Sequence, residues 1–434
     1  MVKESLTSRA ILRFWAPLAG TWLMMALEGP FIAAIIARLP DARENLAAYG
    51  VAFAFGLILE SPAVMLLSAA TVLAENRESY LTLRRFGYGL CGLLTVVVMV
   101  VVFPPVFNWL AGSLLNLPNA IRPLVHQALI LLLPWPAAIG YRRFKQGLLI
   151  RHGLTRHVAY GALVRLTAMA ATAGILVLFT SMRGASVGTF ALSTGVIAEA
   201  IMSGRMARRA VRALESGGAG SKRQLTMRQT VVFYIPLALT AMLAMGTQPM
   251  VTFMMGQSRM VVESLAVFPV ISGLTFMFRS LGLSFQEVGV ALLGPRMKHL
   301  RPLCKFGVLL ALVSSSCLAV VAYSPLAIIW FRDVSGLSSA LTEFAISPLR
   351  LMVLLPALSV VLSLQRSILL TTRRTTPITL ASSVEIITIA GFLWIGIHVF
   401  DAVGIVSAAV ALVIGRLLTN LWLARPCWRA KVLA

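Results

Sequence analysis

The hydrophobic residues of this 434-residue chain gather in long runs, and short polar stretches separate one run from the next. Runs of about 18 or more apolar residues can cross a bilayer as helices, whereas the strands of a membrane barrel would alternate residue by residue. Twelve such runs occur, at 12–37, 46–73, 86–109, 122–141, 158–181, 185–204, 229–256, 264–290, 305–328, 339–364, 377–398 and 402–424. The pattern predicts an all-α, polytopic membrane protein with twelve transmembrane helices.

The runs form two copies of one six-helix unit. Residues 14–19 (FWAPLA) recur as 233–238 (FYIPLA), and Pro30 matches Pro249 at the same offset of 219 residues. After one residue of drift, further matches follow at an offset of 220: Leu83 and Leu303, Phe86 and Phe306, Gly87 and Gly307, Leu149 and Leu369, Thr155 and Thr375. Such a repeat is typical of transporters whose halves move against each other around a pathway.

The boundary between the copies lies in a polar segment rich in Gly, Ser and Arg. Because each half holds an even number of spans, both halves enter the membrane from the same side, and the repeat is parallel. We therefore expect an N-terminal six-helix bundle at 1–205, a flexible cytoplasmic linker at 206–228 and a C-terminal six-helix bundle at 229–434.

Basic residues are unevenly distributed between the two sides of the membrane. The net charge is +23, and about 28 of the 38 Lys and Arg residues fall on the side with both termini, against about 6 on the other. This bias predicts cytoplasmic termini. Three arginine pairs are then solvated or contact anionic lipid headgroups: Arg142–Arg143, Arg208–Arg209 and Arg373–Arg374. A nucleic-acid partner is not expected, because no basic face carries interleaved exposed aromatic residues.

Ionisable residues inside the spans are the main functional candidates, since each costs about 2.5–3.5 kcal/mol to insert. They are Glu28, Glu60, Arg165, Glu199, Arg279, Glu287, Arg350, Glu385 and Arg416. The repeat matches Glu60 with Arg279, and Arg165 with Glu385, so that opposite charges occupy equivalent positions. Two interpretations stay open: each pair is a structural salt bridge, or the pairs form and break during transport while the arginines hold an anionic substrate.

A second set of candidates lies beside the matched prolines. Glu28 precedes Pro30 in the first span, where it could bind Na⁺, carry a proton or hydrogen-bond a neighbouring helix. Gln248 precedes Pro249 in the equivalent span, and we include it as a substrate-binding or gating candidate. Arg350, in the outer third of the tenth span, either snorkels outward or suits the outer mouth of a cavity.

The remaining residues indicate no catalytic centre. Glu199, Glu287 and Arg416 are expected to be interfacial or structural. The four cysteines have no C-x-x-C spacing and the five histidines are scattered, so neither a metal site nor a disulfide is expected. H-E-x-x-H and Walker motifs are absent from the sequence. We expect no enzyme and no cofactor, but transport driven by a gradient, with Na⁺ or H⁺ as candidate coupling ions.

Short motifs spread over nearly the whole chain give it a family resemblance. They are 13–18 (RFWAPL), 46–50 (LAAYG), 236–239 (PLAL), 348–350 (PLR) and 382–384 (SSV). Together with the two halves, they resemble the multidrug/oligosaccharidyl-lipid/polysaccharide (MOP) exporter superfamily, which includes the multidrug and toxic compound extrusion (MATE) transporters, and most closely its progressive ankylosis branch. The resemblance implies a two-lobed body with a central cavity and export of anions such as pyrophosphate, nucleotide or citrate. The compact loops suggest a bacterial member in the inner membrane.

We therefore expect a multi-pass plasma-membrane transporter that exports a small organic or phosphate-containing anion by alternating access. The candidate substrate-binding or gating residues are Arg165, Arg279, Arg350 and Gln248. The candidate charge partners or coupling carboxylates are Glu28, Glu60 and Glu385. Two other functions stay open: a Na⁺- or H⁺-coupled antiporter of cationic drugs and a flippase for a lipid-linked precursor. The expected partners are the substrate and the bilayer, with no obligate protein partner.

Overall fold

The protein is described by a computed structural model that covers residues 7–152, 154–216, 225–293, 297–372 and 376–432. Within these ranges eleven helices are long and apolar enough to cross a membrane, and a bent helix makes a twelfth. Named α1 to α12 in chain order, they are Ser8–Ile36, Ala42–Leu73, Arg77–Val102, Arg122–Arg151, Arg156–Phe179, Gly184–Met206, Met227–Met255, Val261–Leu292, Leu300–Tyr323, Ser339–Thr371, Thr376–His398 and Gly404–Arg429. The prediction of an all-α, multi-pass membrane protein is confirmed.

The two halves match in backbone detail. Left-handed residues precede α2 and α8, at Asp41 (φ 53°) and Met260 (φ 53°). The connections after α3 and α9 each contain a π-helical turn, Leu110–Leu114 and Ile329–Val334. The repeat in the sequence is therefore a repeat of the folded backbone.

The first helix of each half breaks just ahead of its matched proline. α1 is interrupted at Leu27, and α7 bends by 45° between Leu243 and Met245. Pro30 and Pro249 have no N–H group to bond to the carbonyl four residues earlier, which weakens the helix at these places. The prolines thus determine where both helices change direction.

The described backbone groups into two compact units. The first unit is Leu39–Phe253, and the second combines Met1–Arg38 with Met254–Ala434. α1 therefore packs with helices of the second half of the chain, and α7 packs with helices of the first half up to Phe253. The bundles expected at 1–205 and 229–434 follow the order of the repeat, and that division stays a prediction.

An aromatic residue anchors α1 in the second unit. Trp15 donates a hydrogen bond from Nε1 to the carbonyl of Leu281 on α8, at 3.2 Å. Its ring also meets Phe306 of α9 edge-on, with the ring centroids 5.9 Å apart. Edge-to-face contacts of this kind add to the apolar burial of both rings.

The equivalent aromatic residue anchors α7 in the first unit. The Tyr234 hydroxyl donates to the carbonyl of Pro62 on α2, and its ring meets Phe86 of α3 edge-on at 4.8 Å. These three residues occupy the repeat positions of the tryptophan, the carbonyl and the phenylalanine in the second unit. The repeated aromatic-x-Pro-Leu motif therefore marks the same anchor in both units.

Replacing Tyr234 by Phe removes the hydroxyl and keeps the ring. We expect the free energy of unfolding to fall by about 0.5–1.5 kcal/mol, the range for one lost hydrogen bond. Tyr234→Ala also removes a buried ring and should cost about 3–5 kcal/mol. Thermal unfolding of the purified protein in detergent measures both, with Tyr88→Phe as the control because Tyr88 is 45% exposed. Equal losses for the two Tyr234 variants would contradict the role assigned to the ring.

The segment between the halves begins with an ordered helix. Residues Arg208–Ser216 are helical, and Leu214 is buried in an apolar cluster that includes Tyr80 of α3. The arginines of this short helix stay on its exposed side. The first part of the predicted flexible linker at 206–228 is therefore packed on the first unit, and residues 217–224 lie outside the described residues.

Candidate functional site

Buried charged side chains form a group inside the first unit, with Glu199 of α6 at its centre. The Glu199 side chain is 2% exposed and forms an ion pair with Arg142 of α4. It also accepts a hydrogen bond from the Gln146 amide at 2.9 Å, and Nε of Arg165 on α5 lies 3.6 Å from it. A single buried carboxylate thus binds polar groups from two other helices, which stabilises its charge away from water.

Glu60 of α2 belongs to the same group. It is buried and accepts a hydrogen bond from Nε1 of Trp135 at 2.7 Å. The nearby guanidinium groups of α4 and α5 also attract it electrostatically. We name the first charge cluster by its members: Glu60, Arg142, Arg143, Arg165 and Glu199. Three arginines and two glutamates give it a formal charge of +1.

The prediction that Arg142 and Arg143 lie in a solvated loop is wrong. α4 continues to Arg151, so both arginines lie within the helix, and Arg142 is buried against Glu199. Two adjacent arginines interrupt the apolar run, and the hydrophobic pattern therefore placed the end of the helix at residue 141, ten residues too early. The spacing held the useful signal, because Arg142 and Gln146 are four residues apart and share one face of a helix.

The other two arginine pairs were also expected to be solvated. Arg208 and Arg209 are exposed on the short helix Arg208–Ser216, in agreement with that expectation. Arg373 and Arg374 lie outside the described residues.

The second unit holds a corresponding group around Glu385 of α11. The Glu385 carboxylate is buried and pairs with Arg416 of α12 at 2.8 Å. Arg279 of α8 donates from Nε to the Ser359 hydroxyl at 3.3 Å, and its charge interacts with those of Glu385 and Arg416. Arg366 of α10 interacts with the same two charges. These four charged residues form the second charge cluster, with a formal charge of +2.

The two clusters use equivalent helices with the charges exchanged. In the first unit α5 contributes the cation Arg165, and α6 contributes the anion Glu199. In the second unit α11 contributes the anion Glu385, and α12 contributes the cation Arg416. The last two helices of each half are thus joined by an ion pair whose direction is opposite in the two units.

Matched glycines let these helix pairs approach closely. A Cβ atom on Gly195 of α6 would lie 2.9 Å from the carbonyl oxygen of Arg165. A Cβ atom on Gly415 of α12 would lie 3.1 Å from Cδ1 of Ile389 and 3.4 Å from the carbonyl oxygen of Glu385. Small residues of this kind are frequent where membrane helices meet. The close contact fixes the backbone that carries each charged side chain.

The predicted pairs Glu60–Arg279 and Arg165–Glu385 join residues that belong to different units. Each of the four has a partner in its own unit. Glu60 accepts from an indole and Arg279 donates to a serine hydroxyl. Arg165 pairs with the glutamate of α6, and Glu385 pairs with the arginine of α12. Pairing across the units stays a prediction.

The remaining candidates lie at helix breaks and helix ends. Glu28 is half-buried and begins the second segment of α1, and Gln248 is half-buried in α7. Arg350 is exposed on α10, where its Nε donates to the Ala322 carbonyl at 3.2 Å and its guanidinium lies 5.3 Å from the centre of the Tyr323 ring. Arg350 therefore satisfies the C-terminal end of α9, and the transport roles of all three stay predictions.

In each ion pair of the two clusters, the arginine is more accessible than its partner carboxylate. The Arg165 side chain is 15% exposed against 2% for Glu199, and Arg416 is 13% exposed against 9% for Glu385. The other arginines of the second cluster are half-buried as well. Since a guanidinium exposed to hydrocarbon is costly, its accessible side favours water or a polar ligand. A ligand would therefore meet positive charge first.

The described residues provide no metal centre. Among them, no three His, Cys, Asp or Glu side chains lie close enough together to hold a metal ion. Cys91 and Cys427 are buried within apolar clusters. Arginine and glutamate side chains therefore carry the candidate chemistry.

Comparison with known proteins identifies the fold. No protein-family model and no curated protein matches the sequence. An inward-facing multidrug resistance MATE family transporter of the MOP superfamily is similar with a TM-score of 0.73 at 14% identity, over 95% of this chain and 99% of that chain. The lipid II flippase MurJ, in an inward closed conformation, is similar with a TM-score of 0.70 at 14% identity, over 95% of this chain and 87% of that chain.

A third similar structure is a MOP superfamily transporter from Pyrococcus furiosus, described as having a binding pocket of reverse polarity that suggests a different function. Its TM-score is 0.64 at 14% identity, over 98% of this chain and 96% of that chain. The chain therefore has the fold of these proteins, as the sequence resemblance implied, while the progressive ankylosis branch stays a prediction.

Proposed function

We propose that this chain, which has the fold of the MOP superfamily transporters, is a secondary transporter that exports a small organic or phosphate-containing anion by alternating access. The observation that supports this best is the excess of arginine in the two charge clusters. Together they contain six arginines and three glutamates, so the positive charges outnumber the negative ones by three. An anionic substrate would supply negative charge where the protein has too little.

The type of cation also favours an anionic substrate. A guanidinium is planar and can donate two parallel hydrogen bonds to one carboxylate or phosphate group. Away from water these contacts are stronger than at an exposed surface, because the local dielectric constant is lower. Citrate, pyrophosphate and nucleotides, which the branch that this sequence resembles exports, all carry such groups.

An antiporter of cationic drugs needs accessible carboxylates, and in the two charge clusters the carboxylates are the covered groups. Glu60, Glu199 and Glu385 are all buried, whereas most of their arginine neighbours keep some accessible surface. The reverse pocket polarity described for the Pyrococcus furiosus neighbour supports the idea that this fold accommodates pockets of different charge. Glu28, half-buried beside the break in α1, is then a candidate for binding the coupling Na⁺ or H⁺.

A flippase for a lipid-linked precursor is the second candidate function. The MurJ neighbour favours it, because that protein is described as a lipid II flippase with the same fold. The arginines proposed for a soluble anion could also hold the phosphates of a lipid headgroup. In either case we propose a bacterial inner-membrane location with both termini in the cytoplasm, on the basis of the Lys and Arg distribution.

Transport can be tested by expressing the chain in an efflux-deficient bacterial host. We expect extracellular citrate, pyrophosphate or nucleotide to rise several-fold, with little protection against cationic dyes, because arginines repel cations. Arg279→Gln should reduce the release of the anion more than it reduces the protein level. Arg332→Gln is the control, because Arg332 is exposed and forms a surface ion pair with its neighbour Asp333 at 2.9 Å.

The opposite result would favour a drug antiporter. Strong resistance to lipophilic cations, abolished by Glu28→Gln and unaffected by Arg279→Gln, would contradict the proposed anion export. A chain that moves a polyprenyl-linked diphosphate between leaflets but no soluble anion would favour the flippase.

A further inference from the structure

Among the described residues, the second charge cluster holds two more positive charges than negative ones. Arg416 already donates to Glu385 at 2.8 Å, and these are the two charges that act on both Arg279 and Arg366. The hydrogen bonds of Arg279 and Arg366 to described residues go to serine hydroxyls, at 3.3 and 3.5 Å. Hydroxyl groups accept a hydrogen bond but supply no negative charge.

Buried donors in the same cluster also lack acceptors. The Nε atoms of Arg366 and Arg416 are buried and form no hydrogen bond with the described residues. A buried donor without an acceptor is unfavourable, and such groups in folded proteins call for an explanation such as an ion or a ligand. Oxygen atoms of an anion would satisfy these donors and the excess charge together.

We infer that Arg279, Arg366 and Arg416 form a binding site for a dianionic oxyanion group of the phosphate class. Two negative charges match the formal charge of +2, and the oxygen atoms of such a group can accept from the two Nε donors. The inference rests on the proposed anion transport and adds the place in the second unit where the charged group binds. A free phosphate compound and a lipid-linked phosphate headgroup share this chemistry.

The first charge cluster has a neutral side chain at the repeat position of Arg366. The repeat places Gln146 where the second cluster has Arg366, and the Gln146 amide donates to Glu199 at 2.9 Å. The Nε atoms of Arg142 and Arg143 also form no hydrogen bond with the described residues, so the difference between the clusters is one of charge: with a second carboxylate at Glu60, the first has a formal charge of +1. Arg366→Gln therefore gives the second cluster the side chain that the first cluster already contains.

Binding can be measured on the full-length protein in lipid nanodiscs. Inorganic phosphate is titrated at about pH 8, where a phosphate group carries close to two negative charges, with chloride and acetate as comparisons at equal ionic strength. We expect phosphate to raise the thermal unfolding midpoint in a saturable way, and chloride and acetate not to. Arg366→Gln should raise the half-saturating phosphate concentration by about tenfold or more, and Arg366→Lys by less, since it keeps the charge. Arg332→Gln should respond like the unmodified protein.

Each outcome bears on the site or on the proposed function separately. Equal stabilisation by chloride, or an unchanged phosphate response in both Arg366→Gln and Arg279→Gln, would overturn the site. If the unmodified protein does not bind phosphate and Arg366→Gln still exports the anion, the site is rejected and the proposed function is kept. Phosphate binding that Arg366→Gln weakens, in a protein that moves no anion, would support the site and reject that function. Competition by a polyprenyl diphosphate in the nanodisc would assign the site to a lipid headgroup, and its absence to a free phosphate.

Discussion

Glu199→Gln is expected to destabilise the protein by about 3–5 kcal/mol and to abolish transport. Glutamine has nearly the same shape as glutamate but no charge, so Arg142 and Arg165 would lose the carboxylate that lies between α4, α5 and α6. Uncompensated buried charge is far more costly than a neutral pair, because water cannot screen it. The three helices should then separate or admit water.

Thermal unfolding in detergent measures this effect, with Asp401→Asn as the matched control. Asp401 also pairs with an arginine, Arg259 at 3.6 Å, but both side chains are more than half exposed, and such pairs contribute little. The double variant Arg142→Gln/Glu199→Gln should recover part of the stability, since it removes both charges together. A Glu199→Gln protein as stable as the control would mean that the cluster does not depend on this carboxylate.

Gly147→Ser is expected to destabilise the protein by about 3 kcal/mol or more. A Cβ atom on Gly147 of α4 would overlap the carbonyl oxygen of Leu67 on α2 and lie 2.7 Å from Cβ of Ala70. The clash involves backbone, so the two helices must move apart rather than a side chain rotate. Gly89→Ser on α3 is the control, because no atom lies within 4 Å of a Cβ placed there.

The repeat offers a way to restore the contact. In the second unit the matched positions carry Ser367 on α10 and Gly289 on α8, so the smaller residue lies on the opposite helix. Adding Ala70→Gly to Gly147→Ser reproduces this arrangement in the first unit. We expect the double variant to regain a good part of the lost thermal stability. No recovery would show that the two crossings are not equivalent in packing.

The sequence predicts the helices, and it leaves open which helices α1 and α7 pack against. Every span needs a continuous apolar run, because its side chains face the hydrocarbon of the bilayer. It must also be helical, because in lipid the backbone polar groups can pair only within the helix. The hydrophobic pattern does not determine which of two equivalent sets of packing partners a helix takes. Trp15 of α1 could bind Pro62 and Phe86 or their copies Leu281 and Phe306, and since both sets have the same character, hydrophobic patterning does not distinguish them.

The charge clusters were partly predictable. The cost of inserting a charge identified six members of the clusters: Glu60, Arg165, Glu199, Arg279, Glu385 and Arg416. Three arginines were missed for one reason, Arg142, Arg143 and Arg366: α4 and α10 continue beyond the predicted ends at 141 and 364, where the first polar residues interrupt the apolar run. A cation in the last turns of a membrane helix is assigned to the following loop from the sequence pattern, unless its carboxylate partner is known.

The anchoring of α1 and α7 sets the order in which the protein can be assembled during synthesis. Tyr234 finds its acceptor 172 residues earlier in the chain, already in the membrane when α7 arrives. Trp15 is made 266 residues before the carbonyl that it binds, a delay of roughly 13–50 s at about 5–20 residues per second. All helices of the first unit are therefore made before the residues that anchor α1, and a ribosome stalled after α7 would leave α1 without its packing partners in the second unit.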